Sequence, residues 1–93
     1  MAENVRIEAY FAGRVQGVGF RFTSVAIAER FPEIAGSVRN LADGRVEVLA
    51  EGPEEQVSAF LTAVGDAMAP YIRGVDKNRL PATGEFSGFT IGR

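Results

Sequence analysis

The chain has 93 residues, of which 46% are hydrophobic and 24% charged, and its formal net charge is −2. These values fit one small folded domain over residues 1–93 and exclude a disordered chain. The absence of cysteine and histidine excludes disulfides, thiolate or imidazole catalysis and the usual zinc sites. Ten basic and twelve acidic side chains give no overall field that would attract nucleic acid.

The first residues of the chain carry no recognisable targeting signal. Residues 1–4 lack a basic segment followed by an apolar one, and no apolar run approaches the roughly 18 residues that a membrane-spanning helix needs. We therefore expect a cytoplasmic protein that does not contact a membrane.

The first part of the chain predicts a strand, a glycine-rich loop and a helix. Apolar and polar residues alternate over residues 5–11, which is typical of a strand with one buried face. Three glycines follow within residues 13–19. A helix is predicted over residues 20–31, because Pro32 cannot continue its hydrogen bonds. Its expected buried stripe comprises Phe20, Ser24, Ile27, Ala28 and Phe31.

The opposite side of this helix is unusually apolar. Helical spacing places Phe22, Val25 and Ala26 there, away from the expected buried stripe. We expect this side either to meet a partner or to pack under the last strand of the chain.

The middle of the chain predicts a β-hairpin. Residues 34–41 form the expected second strand, with Val38 facing the core. Asp43 and Gly44 follow as a turn in which both positions tolerate positive φ. The alternating residues 45–50 make the returning strand.

The second half predicts another helix and two more strands. The helix is entered at Gly52 and Pro53, with proline at the first helical position, and it ends at Ala69 and Pro70. Its expected buried stripe comprises Val57, Phe60, Leu61, Val64 and Met68. Strands are predicted over residues 73–80 and 86–91.

This order of elements predicts an α+β fold of the ferredoxin-like, split βαβ sandwich type. The pattern is βαββαβ plus a short extra C-terminal strand, with an antiparallel sheet and two helices on one face. The other face is expected to be open to water. A fold of this kind hosts many functions, so function must be argued from particular residues.

The loop after the first strand has the composition of an anion site. A glycine-rich turn that enters a helix can direct several N–H groups to one point, where the helix dipole adds positive charge. Gly17 and Gly19 permit the backbone conformations this needs, and Arg21 can hold a phosphoryl or carboxylate group with two hydrogen bonds. The P-loop and dinucleotide patterns do not match. The alternative is a tight connection whose glycines serve only the turn.

Asn40 is a second candidate, at the end of the second strand and two positions after Val38. A neutral amide can both donate and accept, so it can hold a water molecule beside an anion without repelling that anion. The alternative is that Asn40 only begins the turn over residues 40–44.

Two segments carry a family resemblance. GRVQGVGFR at residues 13–21 and GSVRNLADGRVE at residues 36–47 closely resemble the two signatures of the acylphosphatases, and the similarity extends over essentially the whole chain. The resemblance implies metal-free and cofactor-free hydrolysis of an acyl phosphate to a carboxylate and inorganic phosphate. It also implies that Arg21 grips the phosphoryl group and Asn40 positions the attacking water. The implied phosphate-binding loop comprises Val15, Gln16, Gly17, Val18, Gly19 and Phe20.

The partners implied by this resemblance are small molecules. They are an acyl phosphate as substrate and inorganic phosphate as product and inhibitor. We expect the protein itself to be a monomer. A carboxylate leaving group needs no general acid, since its conjugate acid has a pKa of about 4. The absence of histidine is therefore compatible with the reaction.

The chain departs from the usual family pattern in one turn. Residues 31–35 carry one extra residue before Gly36, where most relatives have a glycine-containing turn. This difference could tilt the second strand and move Asn40 relative to the loop. A further departure is Gly19, where many relatives carry an aromatic residue.

Two other functions remain as alternatives to an enzyme. One is a non-catalytic module that binds phosphate or carbamoyl phosphate, because similar domains occur inside larger maturation proteins. The other is an RNA-binding sheet, which the sequence disfavours: Tyr10 is the only aromatic residue expected on the open face, and Glu8 and Glu47 lie beside it.

Several charged residues have simpler explanations than a site. Glu51, Glu54 and Glu55 could suggest a metal, but a solvated helix entrance explains them. Asp43 could be a phosphoryl acceptor, but the turn explains it. Whether Arg14 or Arg39 adds positive potential near the loop stays open.

Overall fold

A computed structural model describes residues 3–92, so residues 1, 2 and 93 of the expected domain lie outside the described residues. The elements are β1 (Asn4–Gly13), α1 (Phe20–Ala28), β2 (Ala35–Asn40), β3 (Val46–Pro53), α2 (Glu54–Ala67), a 3₁₀ turn (Ala69–Tyr71), β4 (Ile72–Pro81) and β5 (Phe89–Ile91). The five strands form one sheet in the order β4-β1-β3-β2-β5, and the two helices pack on one of its faces. This is the predicted ferredoxin-like α+β arrangement.

The sheet is mixed, which corrects the expectation of a fully antiparallel one. Strands β1 to β4 pair antiparallel, but β5 runs parallel to β2. The reason is the path of residues 82–88, which lead from β4 at one edge of the sheet to β5 at the other. Residues 82–88 end beside the start of β2, as shown by the hydrogen bond from the Gly36 N–H to the carbonyl of Gly88 (2.9 Å). From there, β5 runs in the same direction as β2.

The core lies between the helices and the sheet and follows the predicted periodicities. The buried apolar residues alternate along β1 (Val5, Ala9, Phe11) and β3 (Val46, Val48, Ala50), and the residues of both helices that face the sheet are buried. In β3 the other face is also largely buried, with Glu47 and Glu51 on it. Ser24 is the polar exception in α1, and its hydroxyl donates to the carbonyl of Phe20 (2.8 Å), so no hydrogen-bonding capacity of that donor is lost. The buried helical residues are Phe20, Ser24, Ile27, Ala28, Val57, Phe60, Leu61 and Val64, with Met68 just beyond α2.

Helix α1 ends at Ala28, three residues earlier than predicted. The N–H groups of Arg30 and Phe31 donate to carbonyls only three residues back, which closes a tight turn before Pro32. Phe31 therefore leaves the helix, yet its ring still packs against that of Phe60, 6.0 Å away between centroids.

The apolar outer side of α1 divides into two parts. Val25 packs partly against the core, beside Phe89 of β5. Phe22 and Ala26 remain exposed. The expected packing under the last strand thus holds for one of the three residues.

The β2–β3 turn differs from the predicted two-residue hairpin. Only Gly44 has a positive φ, 95°, whereas Asp43 does not. Asp43 instead accepts hydrogen bonds from the backbone N–H (3.0 Å) and the guanidinium (2.9 Å) of Arg45. The loop spans residues 41–45 because the pairing of β2 with β3 stops at Asn40.

Three predicted boundaries also shift. Strand β3 continues to Pro53, so this proline precedes α2 rather than opening it. Strand β4 is longer than predicted, and β5 is shorter because it begins only at Phe89. Phe86 lies outside β5, where the guanidinium of Arg6 stacks on its ring at 5.3 Å.

Glu51 does not belong to a solvated helix entrance, which corrects its grouping with Glu54 and Glu55. It is buried on the sheet face opposite the helices, where it pairs with Arg6 (3.1 Å). It also accepts the Thr83 hydroxyl (2.7 Å) and the Gly84 N–H (2.9 Å). That face is therefore partly covered by the chain after β4 rather than fully open to water.

The described residues contain neither a metal-binding cluster nor a membrane-spanning helix. Among residues 3–92 no group of three or more acidic side chains is placed to hold a metal ion. Neither helix in that range combines the length and apolar character needed to cross a membrane.

Candidate active site

One end of the sheet brings the predicted site residues together. The loop after β1, the start of α1 and the last residues of β2 and β5 enclose a cleft of about 220 Å³, the α1 cleft. Arg21 and Asn40 both line it, although 18 residues separate them in the sequence. The complete lining is Val15, Gly17, Gly19, Phe20, Arg21, Phe22, Asn40 and Ile91.

The loop between β1 and α1 is held at both ends. Val15 and Phe20 are buried, and the ring of Phe20 packs on Phe11 of β1 at 5.0 Å between centroids. Between them, Gly17 and Gly19 adopt left-handed φ values of 78° and 82°. L-residues with a side chain rarely adopt this conformation, so the glycines determine the path of the loop.

The N–H groups of this loop are free to bind a ligand. Thr23 is the first residue of α1 whose N–H enters the helix ladder, donating to the carbonyl of Gly19 (2.9 Å). Over residues 15–22, no N–H group donates to a backbone carbonyl in the described part of the chain. The positive end of the α1 dipole lies at the same place. The loop therefore offers several donors and a partial positive charge to an anion.

Two residues of the expected phosphate-binding set direct their side chains elsewhere. The Gln16 amide donates from Nε2 to the carbonyls of Leu41 (2.8 Å) and Arg45 (3.0 Å), which ties the loop to the β2–β3 turn. Val18 packs partly against the core. Neither residue is among those that line the α1 cleft.

Asn40 is the last residue of β2, paired with Val46 of β3. The register between these strands is unbroken from Ala35 to Asn40. The turn before β2 is closed by a hydrogen bond from the Ile34 N–H to the Phe31 carbonyl (3.0 Å). Asn40 lines the same cleft as Arg21, so the turn over residues 31–35 does not keep the two side chains apart.

Arg21 brings positive charge to the cleft. Among the described residues that line the cleft, it is the only one with a charged side chain. Arg14 and Arg39 do not line it. The Nε of Arg39 instead donates to Glu47 (2.7 Å), and this hydrogen bond and the charge of Glu47 raise the pKa of Arg39.

Sequence reasoning did not assign Phe22 and Ile91 to this site. The position of Phe22 has a local signal: it lies about 200° around α1 from buried Phe20, and so faces outward. The position of Ile91 has no local signal in the sequence, because it depends on the pairing of Ile91 in β5 with Val38 in β2, which is 53 residues earlier in the chain.

Comparison with known proteins agrees with the fold and with the two sequence signatures. A model of the acylphosphatase family matches residues 7–91. The chain is 48% identical over 89 residues to an acylphosphatase of Pseudomonas paraeruginosa, covering 94% of each chain. The crystal structure of acylphosphatase from Bacillus subtilis superposes with a TM-score of 0.84 at 32% identity, over 96% of this chain and 99% of that one. The crystal structure of T. kodakarensis HypF superposes with a TM-score of 0.78 at 29% identity, over 100% of this chain and 12% of that one. The chain therefore belongs to the acylphosphatase family, a family of hydrolases.

Proposed function

We propose that this protein hydrolyses the carboxyl–phosphate bond of small acyl phosphates, with Arg21 and Asn40 as its catalytic residues. The observation that carries the proposal is the α1 cleft itself. It holds one guanidinium, one neutral side-chain amide and a loop of unbonded N–H groups within about 220 Å³.

The loop over residues 15–20 and Arg21 bind the phosphoryl group. Phosphoryl transfer passes through a loose transition state in which negative charge is spread over the three equatorial oxygens. Fixed N–H donors and one guanidinium stabilise that charge without reorganising during the reaction. Arg21 also supplies two parallel donors, which orient the group as well as hold it.

Asn40 positions the attacking water. Its side chain can accept a hydrogen bond from the water and donate one to an oxygen of the phosphoryl group. The amide carries no charge, so it does not repel the anion whose phosphorus the water attacks. The sheet supports this side chain, because Asn40 ends a strand that is paired on both sides, by β3 and β5.

The chemistry needs no further group from the protein. The water oxygen bonds to phosphorus while the bond from phosphorus to the carboxyl oxygen breaks, and the carboxylate leaves with the electron pair. Its conjugate acid has a pKa of about 4, so it leaves without a proton donor. The proton of the water passes to a phosphoryl oxygen of the substrate. We propose that no metal or cofactor takes part.

The proposal also includes the location, oligomeric state and partners of the protein. We place it in the cytoplasm, in a monomer that forms one domain over residues 1–93 and binds neither membrane nor nucleic acid. The net charge of −2 supports the last point. Tyr10 supports it too, because the guanidinium of Arg45 already stacks on its ring at 4.9 Å.

Steady-state hydrolysis of benzoyl phosphate tests the proposal, with 4-nitrophenyl phosphate as a phosphomonoester for comparison. We expect turnover of the acyl phosphate, competitive inhibition by inorganic phosphate, and loss of both in Arg21→Gln. Arg73→Gln is the matched control, since Arg73 is an exposed arginine on β4 that does not line the cleft. Equal rates for Arg21→Gln and the unmodified protein would contradict the assignment.

The likeness to a segment of HypF favours one alternative function, a phosphate- or carbamoyl-phosphate-binding module without catalysis. Such a module would bind inorganic phosphate through the same loop and Arg21 but release no carboxylate from benzoyl phosphate. Calorimetric phosphate binding combined with zero turnover would therefore favour this alternative over the enzyme.

A further inference from the structure

We propose that Phe22 and Ile91 form an apolar wall in the α1 cleft that holds the acyl group of the substrate, and that the protein therefore favours acyl phosphates with longer apolar chains. The proposal rests on the acyl phosphate hydrolysis proposed above and adds which substrates within that class are preferred. The two residues are called the acyl wall below.

The acyl wall exposes apolar surface that the fold does not use. Phe22 is 78% exposed and Ile91 47% exposed. The exposure of Phe22 follows from the helix geometry. Phe20, two residues earlier, lies on the buried side of α1, and a step of two residues turns the side chain to the opposite side. Each side chain could lower its free energy by covering part of this surface with an apolar ligand.

The place of these side chains sets them apart from other exposed apolar residues. Among residues 3–92, the large exposed hydrophobic residues are Phe22, Val75, Leu80 and Ile91. Val75 and Leu80 both lie on the edge strand β4, next in sequence to Asp76 and Arg79. The other two come from distant parts of the chain and meet in the same cleft as Arg21.

The sheet places Ile91 close to Asn40. Ile91 pairs with Val38 of β2, two residues before Asn40. Paired residues of neighbouring strands share a face, as do residues two apart on one strand, so Ile91 and Asn40 lie on the same side of the sheet. An acyl chain that runs along Ile91 therefore begins beside the proposed reaction centre.

The charges in the cleft favour an apolar chain over a charged one. Within residues 3–92 the lining contains no acidic side chain, and its one cation, Arg21, is engaged by the phosphoryl group in the proposed complex. A chain ending in an ammonium or carboxylate would find no counter-charge on the acyl wall. The cleft of about 220 Å³ extends from Arg21 and Asn40 to Phe22 and Ile91, so it reaches beyond the groups proposed to hold the phosphoryl group and the attacking water.

A homologous series isolates this effect from the chemistry. Acetyl, butyryl and hexanoyl phosphate release carboxylates of nearly equal basicity, so chain length changes mainly the contact with the wall. Full burial of one methylene corresponds to about fourfold in affinity, and burial against an open wall to about 1.8-fold, or about tenfold over the four methylenes added from acetyl to hexanoyl. We expect kcat/KM to rise about tenfold from acetyl to hexanoyl phosphate, mostly through a lower KM.

Substitutions in the acyl wall then reduce this ratio. In Phe22→Ser we expect the hexanoyl-to-acetyl ratio of kcat/KM to fall to about twofold, with a smaller decrease in Ile91→Ala. Leu80→Ala is the matched control: Leu80 is 40% exposed, similar to Ile91, but lies outside the cleft, so the ratio should stay near tenfold.

A second series measures binding without chemistry. Methyl-, butyl- and hexylphosphonate carry the same phosphoryl-like head and cannot be hydrolysed. Their dissociation constants, measured by calorimetry, should fall with chain length in the unmodified protein and much less in Phe22→Ser. The phosphonates keep the acyl wall testable even if no acyl phosphate is turned over.

The outcomes separate this inference from the proposed function. An unchanged ratio in both wall variants, or no dependence on chain length in the unmodified protein, would overturn the acyl wall while leaving acyl phosphate hydrolysis intact. An equal loss for all chain lengths in Phe22→Ser would also overturn it. Chain-length-dependent phosphonate binding without any hydrolysis would instead support the wall and reject the enzyme.

Discussion

The side-chain amide of Gln16 donates a hydrogen bond of 2.8 Å to the backbone carbonyl of Leu41. This contact joins the loop that precedes α1 to the residue directly after Asn40. A second bond from the same nitrogen reaches the carbonyl of Arg45 (3.0 Å), at the other end of the turn. One amide thus fixes both sides of the β2–β3 turn relative to the loop, and with them the distance between the two halves of the proposed site.

Gln16→Ala tests this link. We expect kcat for benzoyl phosphate to fall about 10- to 100-fold, because Asn40 loses its fixed position relative to the loop. The inhibition constant of phosphate should change much less, since the backbone N–H of residue 16 and Arg21 both remain. Gln56→Ala in α2 is the control and should retain both constants. A rise in the phosphate inhibition constant with kcat retained would show instead that the side chain itself contacts the ligand.

Arg21→Lys separates charge from geometry in the phosphoryl site. Lysine keeps the positive charge but lacks the two parallel donors of the guanidinium. We expect kcat/KM to fall about 10- to 100-fold and the inhibition constant of phosphate to rise, less than in Arg21→Gln. Arg73→Lys on β4 serves as the control. Full activity of Arg21→Lys would mean that only the charge matters.

Asn40→Ala should act on turnover rather than on binding. The substitution removes the group that holds the water but leaves Arg21 and the loop N–H groups in place. We expect kcat to fall about 10²- to 10³-fold, the usual effect of removing one polar catalytic contact, with nearly the same inhibition constant for phosphate. Parallel initial-rate and phosphate-inhibition measurements make the comparison. A large loss of phosphate binding would move Asn40 from positioning water to holding the anion.

The fold followed from the sequence where local patterns were sufficient. Alternation over residues 5–11 and the stripe from Val57 to Val64 predicted the buried faces, because strand and helix periods repeat within a few residues. The position of Arg21 at the start of α1 followed in the same way. These are short-range signals, and neighbouring residues alone determine them.

Contacts between segments that lie far apart in the sequence could not be predicted from such local patterns. Glu51 looks like part of an acidic run, but its burial depends on residues 82–88 crossing the sheet. The direction of β5 depends on the same crossing. Gln16 shows the same limit at the site: its motif suggests a loop residue, yet its side chain serves a turn 25 residues away.

Glycine-to-alanine substitution is expected to have opposite effects at one glycine of the loop and one of α2. Gly19 and Gly65 both have open space where a Cβ would lie, but Gly19 has a φ of 82° and Gly65 lies within α2 without a positive φ. Gly19→Ala should lower the free energy of unfolding by about 1 kcal/mol through backbone strain, and Gly65→Ala should raise it by about 0.5–1 kcal/mol. Urea unfolding measures both. Equal signs would show that φ at residue 19 is not held by the loop.

The pair of Glu51 and Arg6 predicts a dependence of stability on pH. Burial acts to raise the pKa of Glu51, but hydrogen bonds from Thr83, Gly84 and Arg6 outweigh it and hold the pKa below the ordinary value of 4.5. The folded state therefore favours the ionised carboxylate. Its contribution to the free energy of unfolding is fully present above pH 4.5 and is lost as the pH falls through the lower folded value.

Glu51→Gln should remove this contribution and lower the free energy of unfolding at pH 7 by about 2 kcal/mol, because Arg6 loses its buried counter-charge. The variant should also lose less stability than the unmodified protein between pH 5 and pH 3. Glu54→Gln is the control, since Glu54 forms only an exposed ion pair with Arg79 and should change stability by less than about 0.5 kcal/mol. Urea unfolding at each pH gives the comparison, and identical pH profiles for Glu51→Gln and the unmodified protein would exclude Glu51 as the titrating group.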